Sequence, residues 1–322
     1  MAGTKPAHLE PSQLGTKEYW ESVYDREVLN HSSNPADEGT VWFDDSDAES
    51  RMVTFLDQHH GDDRFGLDKE TASVLDLGCG NGSLLFALHD DGWESSNLLG
   101  VDYSSLSVAL AKQIYRTRYL YQTGCEGEED ENDSTATQNG TDDDDDDDDQ
   151  TTQTDNTNPR TEIGQRGEEE EEEQQQEEGE EKKETGEEEE EEKEEKEEGV
   201  RFQVWDVLHD PHLPSPTPHS GDDSSGWDVV LDKGTFDAVC LSGLPDVEVR
   251  YASRVRSLLR PGGIFLVTSC NWTEAELQAW FEDLPDPDTH GRLQQAGRIE
   301  YPSFSFGGVK GQTVSSICFQ KS

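Results

Sequence analysis

Two patterns of hydrophobic and polar positions recur along the chain: short apolar runs and longer amphipathic stretches. The apolar runs predict five strands, in the segments TASVLDLG, LLGVDYS, RFQVWDV, WDVVLDKGTFDAVCLS and GIFLVTSC. The amphipathic stretches predict helices, in SLLFALHDDG, which Gly92 stops, in SSLSVALAKQIYRTRYL, and in VEVRYASRVRSLLRPGG, which Pro261 and two glycines close. Strands that alternate with helices predict a mostly parallel α/β sheet with helices on both faces.

The two ends of the chain add elements to this sheet. Upstream, LGTKEYWESVYDREV and SRMVTFLDQH have the spacing of two helices, the first with an aromatic face. Downstream, TEAELQAWFEDL predicts a helix in which Thr273 is the N-cap and Glu276 completes a capping box. RIEYPSFSF and QTVSSICFQ predict two last strands around GGVKG, a hairpin that adds an antiparallel strand at or near one edge of the sheet.

Charge divides the chain into three parts. The net charge is −49, and residues 124–199 contain 37 acidic and 6 basic residues, including an octa-aspartate run at 142–149. Such a segment has no apolar stripe to bury, and its negative charges repel one another, so we expect it to be a disordered acidic insert. The sequence therefore predicts one domain in two parts, 1–123 and 200–322, interrupted by residues 124–199. The acidity of the insert suits a basic protein partner and disfavours direct contact with nucleic acid, although a role in solubility alone would also explain it.

Composition limits the compartment and the chemistry. The five cysteines are odd in number and form no CxxC pair, which favours reduced thiols inside the cell. There is no apolar signal segment and no run long enough to span a membrane. We expect a soluble monomer in the cytoplasm, with the nucleus as a second compartment, and no metal site, since the histidines lack ligand spacing.

The stretch DLGCGNG predicts a ligand site at the first strand-to-helix turn. Glycines allow close backbone approach, although many α/β proteins have one at this turn. Asp76 would repel a pyrophosphate but suits a cationic amine, such as that of S-adenosylmethionine. Asp102 ends the second strand, where it could accept both ribose hydroxyls, and Asp206 ends the third, where it could bind the adenine amino group. These positions favour S-adenosylmethionine over NAD.

The chain resembles a class I S-adenosylmethionine-dependent methyltransferase. Five motifs together carry this resemblance: DLGCGNG, GVDYS, FQVWDV, DKGT followed by FDA, and LLRPGG. More specifically, the chain resembles the elongation factor 1-alpha lysine methyltransferase 2 (methyltransferase-like 10) family. This narrower resemblance rests on LGTKEYWESVYDRE with VWF, LDKGTFDAV and SCNWTEAEL. The resemblance implies a seven-stranded Rossmann-like sheet and methylation of one lysine of translation elongation factor 1-alpha, up to the trimethylated state. The acidic insert is not part of the family pattern. The residues expected to bind the cofactor are Asp76, Gly78, Gly80, Asn81, Gly82, Asp102, Tyr103, Asp206, Val207 and Asp232.

The segment LDKGT at the fourth strand is where we expect the chemistry. A lysine amine has to lose its proton before it attacks a methyl group, and a carboxylate can orient it. Asp232 is our candidate for this role, while Lys233 either neutralises Asp232 or holds the loop. Trp42, Phe43 and Trp272 are candidates for an aromatic slot, with core packing as the alternative. A small-molecule methyltransferase and a non-catalytic acidic chaperone of basic proteins are the competing functions.

Overall fold

A mixed seven-stranded sheet forms the centre of the protein in the computed structural model. The structure describes residues 6–62, 64–120, 199–216, 226–282, 291–302, 304–306, 309–311 and 313–322, all within one unit made of residues 1–126 and 194–322. The strands are β1 (Val74–Leu77), β2 (Leu98–Asp102), β3 (Arg201–Val204), β4 (Trp227–Lys233), β5 (Leu259–Ser269), β6 (Leu293–Ile299) and β9 (Ser315–Lys321), in the order β3-β2-β1-β4-β5-β9-β6.

Strand direction confirms the prediction of a mostly parallel sheet. The neighbours β3, β2, β1, β4 and β5 pair in parallel, whereas β9 is antiparallel to both β5 and β6. The expected antiparallel hairpin near one edge of the sheet is therefore confirmed, and β6 is the strand that pairs with β9 at that edge. The end of the predicted strand RIEYPSFSF does not join this sheet: it forms β7 (Phe304–Phe306), which pairs with β8 (Val309–Gly311) in a separate two-stranded sheet.

Seven α-helices accompany the strands in the described part of the chain. They are α1 (Lys17–Ser33), α2 (Ala48–Gln58), α3 (Ser83–Asp90), α4 (Ser105–Tyr115), α5 (Thr235–Cys240), α6 (Val247–Leu258) and α7 (Glu274–Phe281). The capping box of α7 is present, with Thr273 and Glu276 bonded reciprocally. Helix α5 was not predicted from the sequence, because its short apolar run FDAVC is ambiguous between a strand and a helix.

Two hydrophobic clusters, one on each face, confirm that helices cover both sides of the sheet. Val229 and Leu231 of β4 belong to the cluster that includes side chains of α2, α3 and α4. Val230, which points the opposite way because side chains alternate along a strand, belongs to the cluster with α5, α6 and α7. Burial on both faces explains why the parallel strands are near-continuous apolar runs.

The predicted acidic insert, residues 124–199, lies outside the described residues except for Gly199. No helix among the described residues is long and apolar enough to cross a membrane.

Candidate active site

A cavity of about 420 Å³ opens at the carboxyl ends of β1, β2 and β4. The chain passes from β1 to β2 and β3 on one side of β1 and then crosses to β4 on its other side. The strand order reverses at this point, so a crevice forms at the carboxyl end of β1. The walls come from the glycine turn after β1, the ends of β2 and β4, the loop after β3 and the N-terminal segment.

The glycine turn after β1 forms one wall. Gly78 and Gly80 both have left-handed backbone angles, with φ of 64° and 56°, and both line the cavity together with Asn81. Asn81 is held in place because its Nδ2 donates to the Glu38 carbonyl (2.8 Å) and its Oδ1 accepts from the Ser83 amide (3.2 Å). The first part of the turn therefore presents a fixed backbone surface to the cavity.

Gly82 has a different role from the one expected. It is the N-cap of α3 and is not among the cavity-lining residues. A Cβ at this position would lie 2.9 Å from the rings of Phe202 and Phe86. Glycine is therefore needed here for packing between α3 and β3 rather than for contact with a cofactor.

The carboxyl group of Asp76 lines the base of the cavity. The residue is only 3% exposed, and no other described residue forms a hydrogen bond with its carboxylate. Burial raises the pKa of Asp76 well above its usual range, and the nearby charge of Lys233 partly opposes this shift. A buried carboxylate that faces a cavity without a partner fits the cationic amine of S-adenosylmethionine.

Asp102 ends β2 and also faces the cavity. Its Oδ2 accepts from the Gly80 amide (3.2 Å) and its Oδ1 from the Ser104 amide (2.9 Å), which fixes the plane of the carboxylate. Each oxygen keeps a lone pair for a further donor, as a ribose diol requires. The adjacent Tyr103 lines the same wall, and its hydroxyl donates to the Thr16 carbonyl (3.4 Å).

Asp206 and Val207 line the far wall, two residues beyond the end of β3. The Asp206 carboxylate accepts from the amides of Leu208 (2.8 Å) and His209 (3.2 Å), so it caps its own turn. Its Oδ2 also contacts Nδ1 of His209 at 2.9 Å. Asp206 thus lies at the predicted wall while most of its hydrogen-bonding capacity is used by the turn.

Aromatic rings form the outer part of the cavity. Trp42 and Phe43 both line it, and the Trp42 ring stands edge-on to Trp20 with centroids 5.2 Å apart. Trp42 is 37% exposed, so it forms part of the mouth. Trp272 was expected in this wall, but it is buried in the core beside Phe236 and is not among the lining residues. Its position after β5 turns the ring towards α5 and α7 instead.

Asp232 also departs from expectation. It is completely buried and does not belong to the cavity lining among the described residues. Its oxygens accept from the amides of Thr235 (2.8 Å) and Phe236 (3.0 Å) and from the Tyr251 hydroxyl (2.5 Å). The carboxylate therefore caps α5 and bonds α6. Neither contact with a substrate amine nor contact with a cofactor is supported by this geometry.

Sequence reasoning missed part of the lining. Trp20 and Tyr24 of α1 reach the cavity, and the aromatic face predicted for that helix was the signal that could have found them. Leu14 and Gly15 of the preceding turn also line it, and Trp20 Nε1 donates to the Leu14 carbonyl (2.7 Å). Nothing in the sequence indicates that this turn folds back over the sheet.

The sheet order, the glycine turn and the two cavity-facing carboxylates Asp76 and Asp102 together define a class I S-adenosylmethionine-dependent methyltransferase. Residues 68–128 match a family model described as a methyltransferase domain. The chain is 33% identical to the protein-lysine N-methyltransferase EFM4 of Saccharomyces cerevisiae, over 100% of this chain and 99% of that protein. It belongs to this family of protein-lysine N-methyltransferases.

Two further relatives extend the comparison. The chain is 33% identical to protein-lysine N-methyltransferase efm4 of Schizosaccharomyces pombe, over 97% of this chain and 95% of the relative. It is 25% identical to EEF1A lysine methyltransferase 2 of Danio rerio, over 99% of this chain and 92% of the relative. Both alignments span nearly the whole length of the two chains, so the similarity is not confined to the cofactor-binding half.

Proposed function

We propose that this chain transfers methyl groups from S-adenosylmethionine to a lysine of translation elongation factor 1-alpha. The substrate is suggested by relatives named EEF1A lysine methyltransferase 2, which are 25% to 27% identical to the chain. The observation that carries the proposal is one continuous cavity, with Asp76 and Asp102 at its base and Trp20 and Trp42 towards its mouth. Methylation up to the trimethylated state, a cytoplasmic location with the nucleus as a second compartment, and a monomeric state belong to the same proposal.

The base of the cavity suits the methyl donor. When bound, S-adenosylmethionine supplies an electrophilic methyl group for in-line attack by a nitrogen. Asp76 would pair with its amine, the amide-rich turn at Gly78 and Gly80 would contact it closely, and Asp102 would accept from its ribose hydroxyls. These residues bind and orient the donor, which leaves the aromatic mouth free for the protein substrate.

The mouth suits a lysine side chain. A free lysine amine has a pKa of about 10.4 and is charged at neutral pH, so it cannot attack until it loses a proton. Trp20, Trp42 and Phe43 present apolar surface that desolvates the amine and so lowers its pKa. After transfer, the aromatic faces favour the methylated ammonium group. Desolvation, rather than a carboxylate at Asp232, is therefore the device that we assign to activation of the amine.

The experiment uses unmethylated elongation factor 1-alpha, the purified protein and a methyl donor that carries a deuterated methyl group. We expect one lysine to gain label, read by mass spectrometry of the intact substrate and its peptides, and Asp102→Ala to slow the gain at limiting donor. Label on a small molecule of a cell extract, with none on the elongation factor, would favour the small-molecule methyltransferase. No label on any lysine would contradict the proposal.

A further inference from the structure

The tetrad DKGT at the end of β4, Asp232–Thr235, joins the cavity wall to three other elements. Asp232 caps α5, as described above. Thr235 Oγ1 donates to the Leu77 carbonyl (2.6 Å) at the end of β1, directly before the glycine turn. Gly234 has φ of 91°, and a Cβ there would lie 3.1 Å from the Phe43 ring. Three of the four residues therefore have evident packing or bonding roles, and Lys233 is the one whose role is open.

Lys233 lies between the cavity and the segment that contains Trp42. Its side chain is 11% exposed and lines the cavity. Its Nζ donates to the Trp42 carbonyl (3.1 Å) and lies 3.6 Å from Oε2 of Glu49 in α2. Glu49 Oε2 in turn accepts from the hydroxyl of Ser83 (2.6 Å), the first residue of α3. The ammonium group is thus held at a junction of β4, α2 and the aromatic wall.

The carbonyl that Lys233 binds belongs to a peptide with unusual geometry. This peptide joins Trp42 to Phe43, and Phe43 has φ of 63°, in the left-handed region that bulky residues rarely adopt. Such a conformation costs free energy and persists only when its surroundings enforce it. The hydrogen bond from Lys233 fixes the orientation of this peptide, and packing of the Phe43 ring on Gly234 fixes the side chain that follows.

We propose that Lys233 is a positioning residue for the protein substrate, because it holds the Trp42–Phe43 peptide so that the Trp42 ring stands beside Trp20 at the cavity mouth. The inference rests on the proposed function, since it assigns that mouth to the substrate lysine. The competing role is neutralisation of Asp76, whose buried carboxyl also feels the charge of Lys233. The two roles differ in what they control: the first controls KM for the protein substrate, and the second controls cofactor affinity.

The test compares Lys233→Met with Lys233→Arg, which keeps the charge and can still reach an acceptor. For Lys233→Met, we expect KM for the protein substrate to rise roughly tenfold, as the loss of one charged hydrogen bond implies, with little change in kcat. Cofactor affinity should fall by less than this, because Asp76 also loses a nearby positive charge. Lys233→Arg should recover part of the loss. Glu49→Gln, which removes the charge of the ammonium's second partner, should also raise KM, but by less.

Hydrogen exchange gives a readout that does not depend on the substrate. The amides of Ser46 and Ala48 both donate to the Phe43 carbonyl (3.1 and 3.3 Å), so they report on this segment directly. We expect their exchange to accelerate in Lys233→Met, whereas the Gly82 amide, bonded to the Cys79 carbonyl, should keep its rate. Lys69→Met is the matched control, because Lys69 also pairs with two carboxylates, Asp57 and Asp91, but does not line the cavity.

The outcomes separate this inference from the proposed function. Unchanged exchange at Ser46 and Ala48 in Lys233→Met overturns the inference, whatever the substrate is. A weaker cofactor Kd with unchanged KM also overturns it and assigns Lys233 to Asp76. Failure of the wild-type protein to methylate elongation factor 1-alpha overturns the proposed function instead, and the exchange rates then still decide whether Lys233 holds the aromatic wall.

Discussion

At the scale of single residues, Asp232 joins two helices through one buried carboxylate. Burial raises its pKa to about 7, although the Tyr251 hydroxyl and the two α5 amides favour the ionised form. Asp232→Ala would leave those donors without a buried acceptor. We expect the free energy of unfolding to fall by about 1–3 kcal/mol, measured by urea denaturation, with little change in turnover of the folded protein. A large loss of turnover with stability and cofactor affinity intact would restore Asp232 to the reaction.

Asp76 gives cofactor binding a pH dependence. Burial holds its pKa well above the usual range, so part of the free protein carries a protonated Asp76 as the pH falls. The amine of S-adenosylmethionine binds the ionised carboxylate, and affinity should therefore rise with pH until Asp76 is fully ionised. Calorimetry across pH should show this slope, with proton release on binding, and Asp76→Asn should flatten it. An equal slope in the variant would place the titrating group elsewhere.

Strand position was easier to predict than side-chain direction. Asp76, Asp102 and Asp206 were expected at the cavity because they end or follow three successive strands, and the cavity lining includes all three. Asp232 was expected by the same rule, but it lies two residues after Val230 and so points to the same face, towards α5 and α6. The alternation of side chains along β4 was visible in the sequence, whereas the face that borders the cavity was not, because it depends on how the helices pack.

At the scale of elements, the turn at Gln13–Gly15 covers the cavity by close contact with the end of α5. A Cβ at Gly15 would overlap the backbone of Leu241, and the Ser12 amide donates to the Leu241 carbonyl (3.0 Å). Gly15→Val should push this turn away from α5 and open one side of the cavity. We expect faster cofactor dissociation in stopped-flow measurements, with the unfolding free energy changed by less than about 2 kcal/mol.

Gly92→Val is the control for that variant. Gly92 is also a glycine at the end of an element, with open space around the position of a Cβ, and it lies outside the cavity lining. Its φ of 90° makes the substitution strained, so stability should fall while cofactor dissociation stays near the wild-type rate. Equal dissociation rates in wild type and Gly15→Val would show that the N-terminal turn does not retain the cofactor.

At the scale of the whole molecule, the described chain resumes after the acidic segment beside the helix that precedes it. A Cβ at Gly199 would overlap the hydroxyl of Tyr115 in α4, the helix after which the chain leads to the segment. Deletion of residues 126–198 should therefore leave the domain folded, because loop-closure entropy changes slowly with loop length. Its charge should act through long-range attraction to a basic substrate, so the deletion should lower the association rate modestly at low ionic strength.

Association kinetics at two salt concentrations check this prediction, together with kcat at saturating substrate. The rate difference should disappear above physiological salt, because exposed charges are then screened. Loss of folding, or loss of turnover at saturating substrate, would show that the segment is part of the structure. The predicted domain division rests on the composition of the segment, whereas the position of Gly199 beside α4 could be known only from the fold.

The central claim is that the cavity beside the glycine turn holds the methyl donor, and calorimetry with S-adenosylhomocysteine tests it most directly. Asp102→Ala removes two charge-assisted contacts of about 1.5–3 kcal/mol each, so affinity should fall by at least about 100-fold. Gly80→Val puts a side chain at a left-handed position, with its Cβ 3.0 Å from the Tyr24 hydroxyl, and should abolish binding. Asp57→Ala, which removes a carboxylate outside the cavity lining, should bind as the wild type does. Unchanged affinity in both cavity variants would contradict the account.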